Sequence, residues 1–372
     1  MNQYNARYVD LKGTHYEIGN KLGRWAAEIP AQKEFFQTFG VNRMNSRDDL
    51  FAQELLEKWC PGMNEEICGF ADALGIPPLQ ASYYAMTCLE PRCSQLVLSP
   101  GLTKNRHLLL GRNYEFSPMF EDFILARTSV QGKYAHIGTT VSQLGRDEGL
   151  NECGLAVSMT SCGFPVGALK KMRKPALRGL QFWAVIRTLL ENCQDVVEAL
   201  AFLDGMPIAS NMNLMLVDKT GHAALAETLD GRMAVKQIDL NDGQQYLHAT
   251  NHALLSEIKP FEPLAMRHSI QRYETIRRYL DYAKDITIED LKAFLLREYP
   301  DGVCCHYYED FFGTTKSVIM DIDDGKIDLC WGGNMQNGWR SFFVNQPVDE
   351  STHPVVMVNK QAEPGLYDFI AD

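Results

Sequence analysis

The hydrophobic pattern of this chain changes period at Cys93, and that change constrains the fold more than any other feature. Before it, apolar residues recur at helical spacing over 16–26, over 50–59 behind an Asn45-Ser46 cap signal, over 61–74 behind Pro61, and over 78–88 behind Pro77-Pro78. After it, β-rich segments at 94–98, 107–116, 123–130, 134–143 and 155–160 alternate with turn clusters. Helical spacing returns over 177–192 and 195–203, and strands read over 213–217, 223–228 and 232–238. Two further helices follow, over 266–282 and from a Thr287-x-x-Asp290 capping box to Leu296, before strands at 317–321, 326–331 and 341–344. Two blocks of antiparallel strands with helices between them predict an α+β fold: a four-layer αββα sandwich with a helical N-terminal segment, because helices must cover the outer faces of both sheets.

No linker, repeat or low-complexity tract divides the 372 residues, and 45% apolar with 22% charged residues is the composition of a globular chain with a sizeable core. Lys and Arg number 36 against 47 Asp and Glu, a net charge of −11, which repels nucleic acid and anionic membranes and leaves small molecules or proteins as partners. A homo-oligomer stays open. The first ten residues are polar, and no run approaches the ~18 apolar residues of a membrane span, so the expectation is a cytoplasmic protein. Ten cysteines without a secretion signal read as reduced thiols. With no CxxC pair, no HExxH and nine scattered histidines, neither a metal nor a cofactor is expected; Cys304, Cys305 and His306 are neighbours on one strand and point to alternate faces.

Cys93 heads the first strand after the helical segment, where a thiol becomes a new N-terminus if the Arg92–Cys93 bond is cut. The next strand ends in Arg112-Asn113-Tyr114-Glu115-Phe116, and an antiparallel return through a turn near 100–105 brings that polar group beside Cys93. Arg and Glu inside an apolar strand are costly unless paired, which leaves either a cavity lining or a structural ion pair between Arg112 and Glu115.

Cys93-Ser94, followed by Leu110-Gly111-Arg112-Asn113-Tyr114-Glu115-Phe116, resembles the start of the catalytic chain in the acyl-coenzyme A:6-aminopenicillanic acid acyltransferase family, relatives of the choloylglycine hydrolases among the N-terminal nucleophile hydrolases. Asn151-Glu152-Cys153-Gly154-Leu155-Ala156-Val157, Ser210-Asn211-Met212-Asn213-Leu214, Thr250-Asn251-His252, Arg272-Tyr273-Glu274, Gly313-Thr314-Thr315-Lys316-Ser317-Val318 and Trp331-Gly332-Gly333-Asn334 are similar to further family motifs, in the same order. The resemblance implies an αββα precursor that cuts itself between Arg92 and Cys93, giving a helical chain of residues 1–92 that stays bound to a catalytic chain of residues 93–372. The α-amine freed on Cys93 then serves as base for its own thiol, and an acyl-thioester forms from a small amide or thioester substrate and passes to water or an amine.

By the same resemblance Asn251 is the expected oxyanion donor, and Arg112 and Arg272 surround the thiol with Glu115 held among them. Asn113, Thr160 and Asn213 are the substrate-binding candidates. Phe182, Trp183 and the aromatic run 307–312 are candidates for an acyl pocket. The chain departs from the family pattern at Glu115, where Asp is usual, and at Arg92, where Gly is frequent. Both departures imply slow or absent self-cleavage, since an N-to-S acyl shift wants a freely twisting bond. Two other readings follow: an uncleaved, non-catalytic small-molecule-binding homologue, and a plain thiol enzyme with His252 as base.

Overall fold

The computed structural model describes residues 2–38, 45–85, 91–140, 143–166 and 172–371. The chain opens with strand β1 (Asn2–Gly13), then helices α1 (His15–Glu28), α2 (Pro30–Thr38), α3 (Ser46–Trp59), α4 (Met63–Leu74) and α5 (Pro78–Ala85). Strands β2 (Arg92–Leu98), β3 (Leu109–Phe116), β4 (Ile124–Val130), β5 (His136–Thr139), β6 (Glu148–Asn151) and β7 (Leu155–Ser161) lead to helices α6 (Phe182–Asn192) and α7 (Val196–Leu203). Next come β8 (Met212–Asp218), β9 (His222–Leu229), β10 (Arg232–Asp239), β11 (Tyr246–Ala249), β12 (Leu264–Met266), α8 (Arg267–Tyr282) and α9 (Ile288–Leu296). The last strands are β13 (His306–Tyr307), β14 (Phe312–Asp321), β15 (Lys326–Trp331), β16 (Arg340–Phe343), β17 (Ser351–Met357) and β18 (Phe369–Ala371).

Two large sheets carry the molecule, one in the order β10-β9-β8-β7-β6-β5-β4-β1-β17, the other in the order β11-β2-β3-β14-β15-β16 with β13 added against β14. They face each other through an apolar layer that includes Val97 and Leu110 from one sheet and Ala156 and Met215 from the other. Helices α1, α6 and α7 cover the outside of the first sheet, and α8 and α9 cover the outside of the second. The alternation of β2 sets this up: Val97 faces the other sheet while Leu96 and Leu98 face Phe294 and Ile276. The predicted four layers are therefore present, and the capping box at Thr287 and Asp290 forms as read.

The helical N-terminal segment needs correction, because β1 precedes its helices. This strand is an interior member of the first sheet, parallel to β4 on one side and antiparallel to β17 on the other. Tyr4, Ala6 and Tyr8 point into the layer between the sheets and Val9 and Leu11 point outward, so the strand has two apolar faces of few residues each. Polar Asn2, Gln3, Asn5 and Arg7 dilute that signal in the sequence. The helix read as reaching Cys88 is α5 to Ala85; Cys88 itself lies outside the described residues. The helix read from 177 starts at Phe182. No described helix is long and apolar enough to cross a membrane.

Candidate active site

Strands β2 and β3 pair antiparallel, with Arg92 opposite Glu115, Cys93 opposite Tyr114 and Ser94 opposite Asn113, which is the return the sequence predicts. Alternation then sorts the side chains by face. Cys93, Arg112 and Tyr114 point between the sheets, whereas Asn113 and Glu115 point toward helices α9 and α8.

Between the sheets the Cys93 thiol is fully buried, and the Arg112 Nη2 donates to its Sγ at 3.2 Å. The other edge of that guanidinium is pinned: Arg112 Nη1 donates to the Asp147 carbonyl at 2.8 Å and to Glu148 Oε2. Glu148 is held in turn by the Thr139 hydroxyl and backbone N–H. Strands β5 and β6 can approach closely enough for this because residue 138 is glycine; a Cβ there would lie 2.0 Å from the Glu148 carbonyl oxygen. Burial pushes the Cys93 thiol up to about 11, against the pull of Arg112, with Glu115 and Asp147 adding to the rise.

The backbone of Cys93 is gripped as firmly as its sulfur. Its N–H donates to Asn251 Oδ1 at 3.1 Å, and its carbonyl accepts from Arg272 Nη1 at 2.9 Å. Arg272, one face of α8 and fully buried, also donates to Glu115 Oε2 at 3.0 Å and to Asn251 Oδ1 at 2.7 Å. Two donors on Asn251 Oδ1 fix the orientation of this amide, so its NH₂ faces the Ser161 carbonyl and hydroxyl at 3.1 and 3.0 Å. Arg92 Nη1 donates to the same hydroxyl at 2.9 Å. Arg272 thereby links Glu115 to the Cys93 carbonyl; burial raises the Glu115 carboxyl to about 8, more than the two arginines lower it.

Cys93, Arg112, Glu115, Asn251 and Arg272 thus form one connected group with Arg92 at its rim. The three substrate-binding candidates stand apart from it. Asn113 donates to the Leu295 carbonyl on α9, on the opposite face of the strand from the thiol. Thr160 donates to the Thr250 carbonyl, and the Asn213 amide donates to Thr160 and to the carbonyls of Thr250 and His252, so both clamp the segment that carries Asn251. His252 Nδ1 faces Thr250 and Ser269. Phe182 and Trp183 are core residues of α6, while Tyr308, Glu309 and Phe311 line a cavity of about 340 Å³ together with Tyr4, Ser117 and Met119. The sulfur atoms of Cys304 and Cys305 diverge, one 3.8 Å from His306 Nε2 and the other 3.2 Å from His268 Nε2.

Ser161, Asp147 and Glu148 carry no motif that would have singled them out in the sequence. Lys316 lies inside the Gly313–Val318 resemblance but is buried between the sheets, where a lysine is not expected without partners.

Among solved structures, the chain is similar to a mutant conjugated bile acid hydrolase from Clostridium perfringens at 12% identity and a TM-score of 0.46, over 73% of this chain and 99% of that one. It is also similar to the penicillin V acylase from Agrobacterium tumefaciens at 14% identity and a TM-score of 0.39, over 64% of this chain and 83% of that one. No curated protein matches it. The family model for acyl-coenzyme A:6-aminopenicillanic acid acyl-transferase matches residues 102–336, more than half of the chain, with Cys93 just ahead of the matched residues. The chain belongs to that family.

Proposed function

We propose that this protein is a self-processing cysteine amidohydrolase or acyltransferase acting on a small N-acylated compound, with Cys93 as its nucleophile. The observation that carries the reading is the double grip on Cys93: Arg112 on its sulfur, Asn251 and Arg272 on its backbone N–H and carbonyl. A buried cysteine with a purely packing role needs none of these.

In the cut, Sγ attacks the Arg92 carbonyl carbon, the C–N bond to Cys93 breaks, and the thiol proton passes to the departing nitrogen. Water then opens the thioester, releasing the Arg92 carboxylate and returning the thiol with a free α-amine beside it. Asn251 Oδ1, already accepting from the Cys93 nitrogen, keeps that amine aimed. An unperturbed α-amine titrates near ~8, so it can take the Sγ proton at neutral pH. Attack on the substrate carbonyl gives an acyl-thioester, the leaving amine takes a proton, and water or a second amine removes the acyl group. The Asn251 N–H directed at the Ser161 hydroxyl lies beside Arg92, and once that residue has left it can donate to the developing oxyanion. Such a donor is worth roughly 3 kcal/mol of barrier.

Mass spectrometry of the purified chain tests this. The expected result is two fragments, residues 1–92 and 93–372, with Cys93→Ala leaving the chain whole and inactive. An uncut chain that turns over an acyl-amide would overturn the mechanism. An uncut chain without turnover but with a tightly bound small molecule would favour a non-catalytic binding homologue, a reading that the Arg92–Ser161 contact and the full burial of Cys93 both support.

A further inference from the structure

The strand pairing of β14 contains one irregularity, and it lies beside the thiol. Thr314 is opposite Glu115, but the next pair is Lys316 opposite Tyr114, so Thr315 is an extra residue in the ladder. In an unbroken ladder Lys316 would stand opposite Asn113 and point toward the helices. The bulge turns it to the other face, into the layer that holds Cys93, Arg112 and Tyr114.

There the ammonium is fully buried and has a set of built contacts. It donates to Glu121 at 2.9 and 3.0 Å and to Asp147 Oδ2, and it lies 4.3 Å from the centre of the Tyr114 ring, which Arg112 meets at 4.9 Å. The titratable and charged groups facing this space are Cys93, Arg112, Tyr114, Glu121, Asp122, Asp147, Glu148 and Lys316. Four carboxyl groups thus share two cations. Glu148 is the one carboxylate hydrogen-bonded to Arg112 among the described residues, and Lys316 occupies Asp147 and Glu121.

We propose that Lys316 is a positioning residue for the nucleophile: by holding Asp147 and Glu121 it leaves Arg112 to Glu148 alone and so keeps the guanidinium on the Cys93 sulfur. The inference rests on Cys93 being the reactive thiol. Without the ammonium, Asp147, whose backbone carbonyl already accepts from Arg112, competes for the guanidinium with its carboxylate as well. Unneutralised negative charge then stands close to the sulfur and disfavours the thiolate.

Alkylation of Cys93 by iodoacetamide at pH 9, followed by peptide mass spectrometry, reads the thiolate without requiring turnover or self-cleavage. It therefore fails or succeeds separately from the proposed reaction. Cys60, a buried thiol packed against the Ala184 carbonyl, reports general loosening. Lys316→Met should slow Cys93 alkylation about tenfold, one unit of thiol pKa, with Cys60 unchanged. Asp147→Asn should accelerate it, and the charge-matched Lys316→Met/Asp147→Asn should return it to within about twofold of the parent, well inside a half-unit shift. A merely structural lysine would loosen the chamber and speed alkylation, so an unchanged or faster Cys93 in Lys316→Met overturns the proposal, as does a double variant as slow as the single. If Lys316→Met does not fold, an unaltered rate in Asp147→Asn overturns it equally.

Discussion

At the scale of single residues, the thiol of Cys93 is the group on which the proposed chemistry turns, and its surroundings alter it. Its burial outweighs Arg112 and holds it near 11, so the uncut chain keeps a protonated, quiet sulfur at neutral pH. If the thiolate is the attacking species, self-cleavage should quicken about tenfold for each pH unit between 7 and 9, since every unit below the pKa costs a factor of ten in thiolate. A time course on denaturing gels at several pH values checks this; a flat profile would mean that the attacking sulfur is not governed by that titration. Arg112, Glu115, Asn251 and Arg272 were legible because each sits in a recognisable short motif. Glu148, Asp147 and Ser161 were not, because what makes them matter is a contact across the gap between sheets, and a sequence read along one dimension carries no trace of that gap.

At the scale of elements, the segments with a strong single period were readable: α1, α8, α9 and the β2–β3 return all stand where the pattern put them. Strands whose signal is weak or short, β1, β6, β11 and β17, were missed because pairing partners stabilise them rather than their own composition. The bulge at Thr315 belongs to the same class, since a one-residue insertion into a ladder is invisible until the partner strand is known. Helix α6 illustrates how buried charge joins elements. Its Arg187 pairs with Glu66 of α4 at 2.9 Å and with Glu191 at 2.6 Å, and Glu66 also meets His15 of α1 at 3.0 Å. Arg187→Met would leave two buried carboxylates without their cation, so the expected loss is about 3–5 kcal/mol by urea denaturation, the range for breaking one side of a buried pair. A loss within that of an exposed pair, under about 1 kcal/mol, would contradict the network's role.

At the scale of the molecule, the buried acids around the site make stability depend on pH in an unusual sense. Glu115 titrates near 8 in the fold against 4.5 for an ordinary glutamate. Between those values the folded state holds a proton that the unfolded chain has released, so stability falls as pH rises through the window. Glu115→Gln should flatten that decline, and the difference in melting temperature between variant and parent should grow more positive from pH 5 to pH 8. Thermal unfolding followed by circular dichroism measures it; a difference constant with pH would show that Glu115 does not carry the proton.

The interior place of β1 has a practical side as well. Residues 93–372 begun directly at Cys93 would contain every group of the proposed reaction and bypass the proposed cut, yet β4 and β17 would be left with open margins on either side of a missing rung. Producing the larger piece alone should therefore yield aggregate, while supplying residues 1–92 from a second gene in the same cell should restore a soluble pair, because that stretch brings the absent interior strand with it.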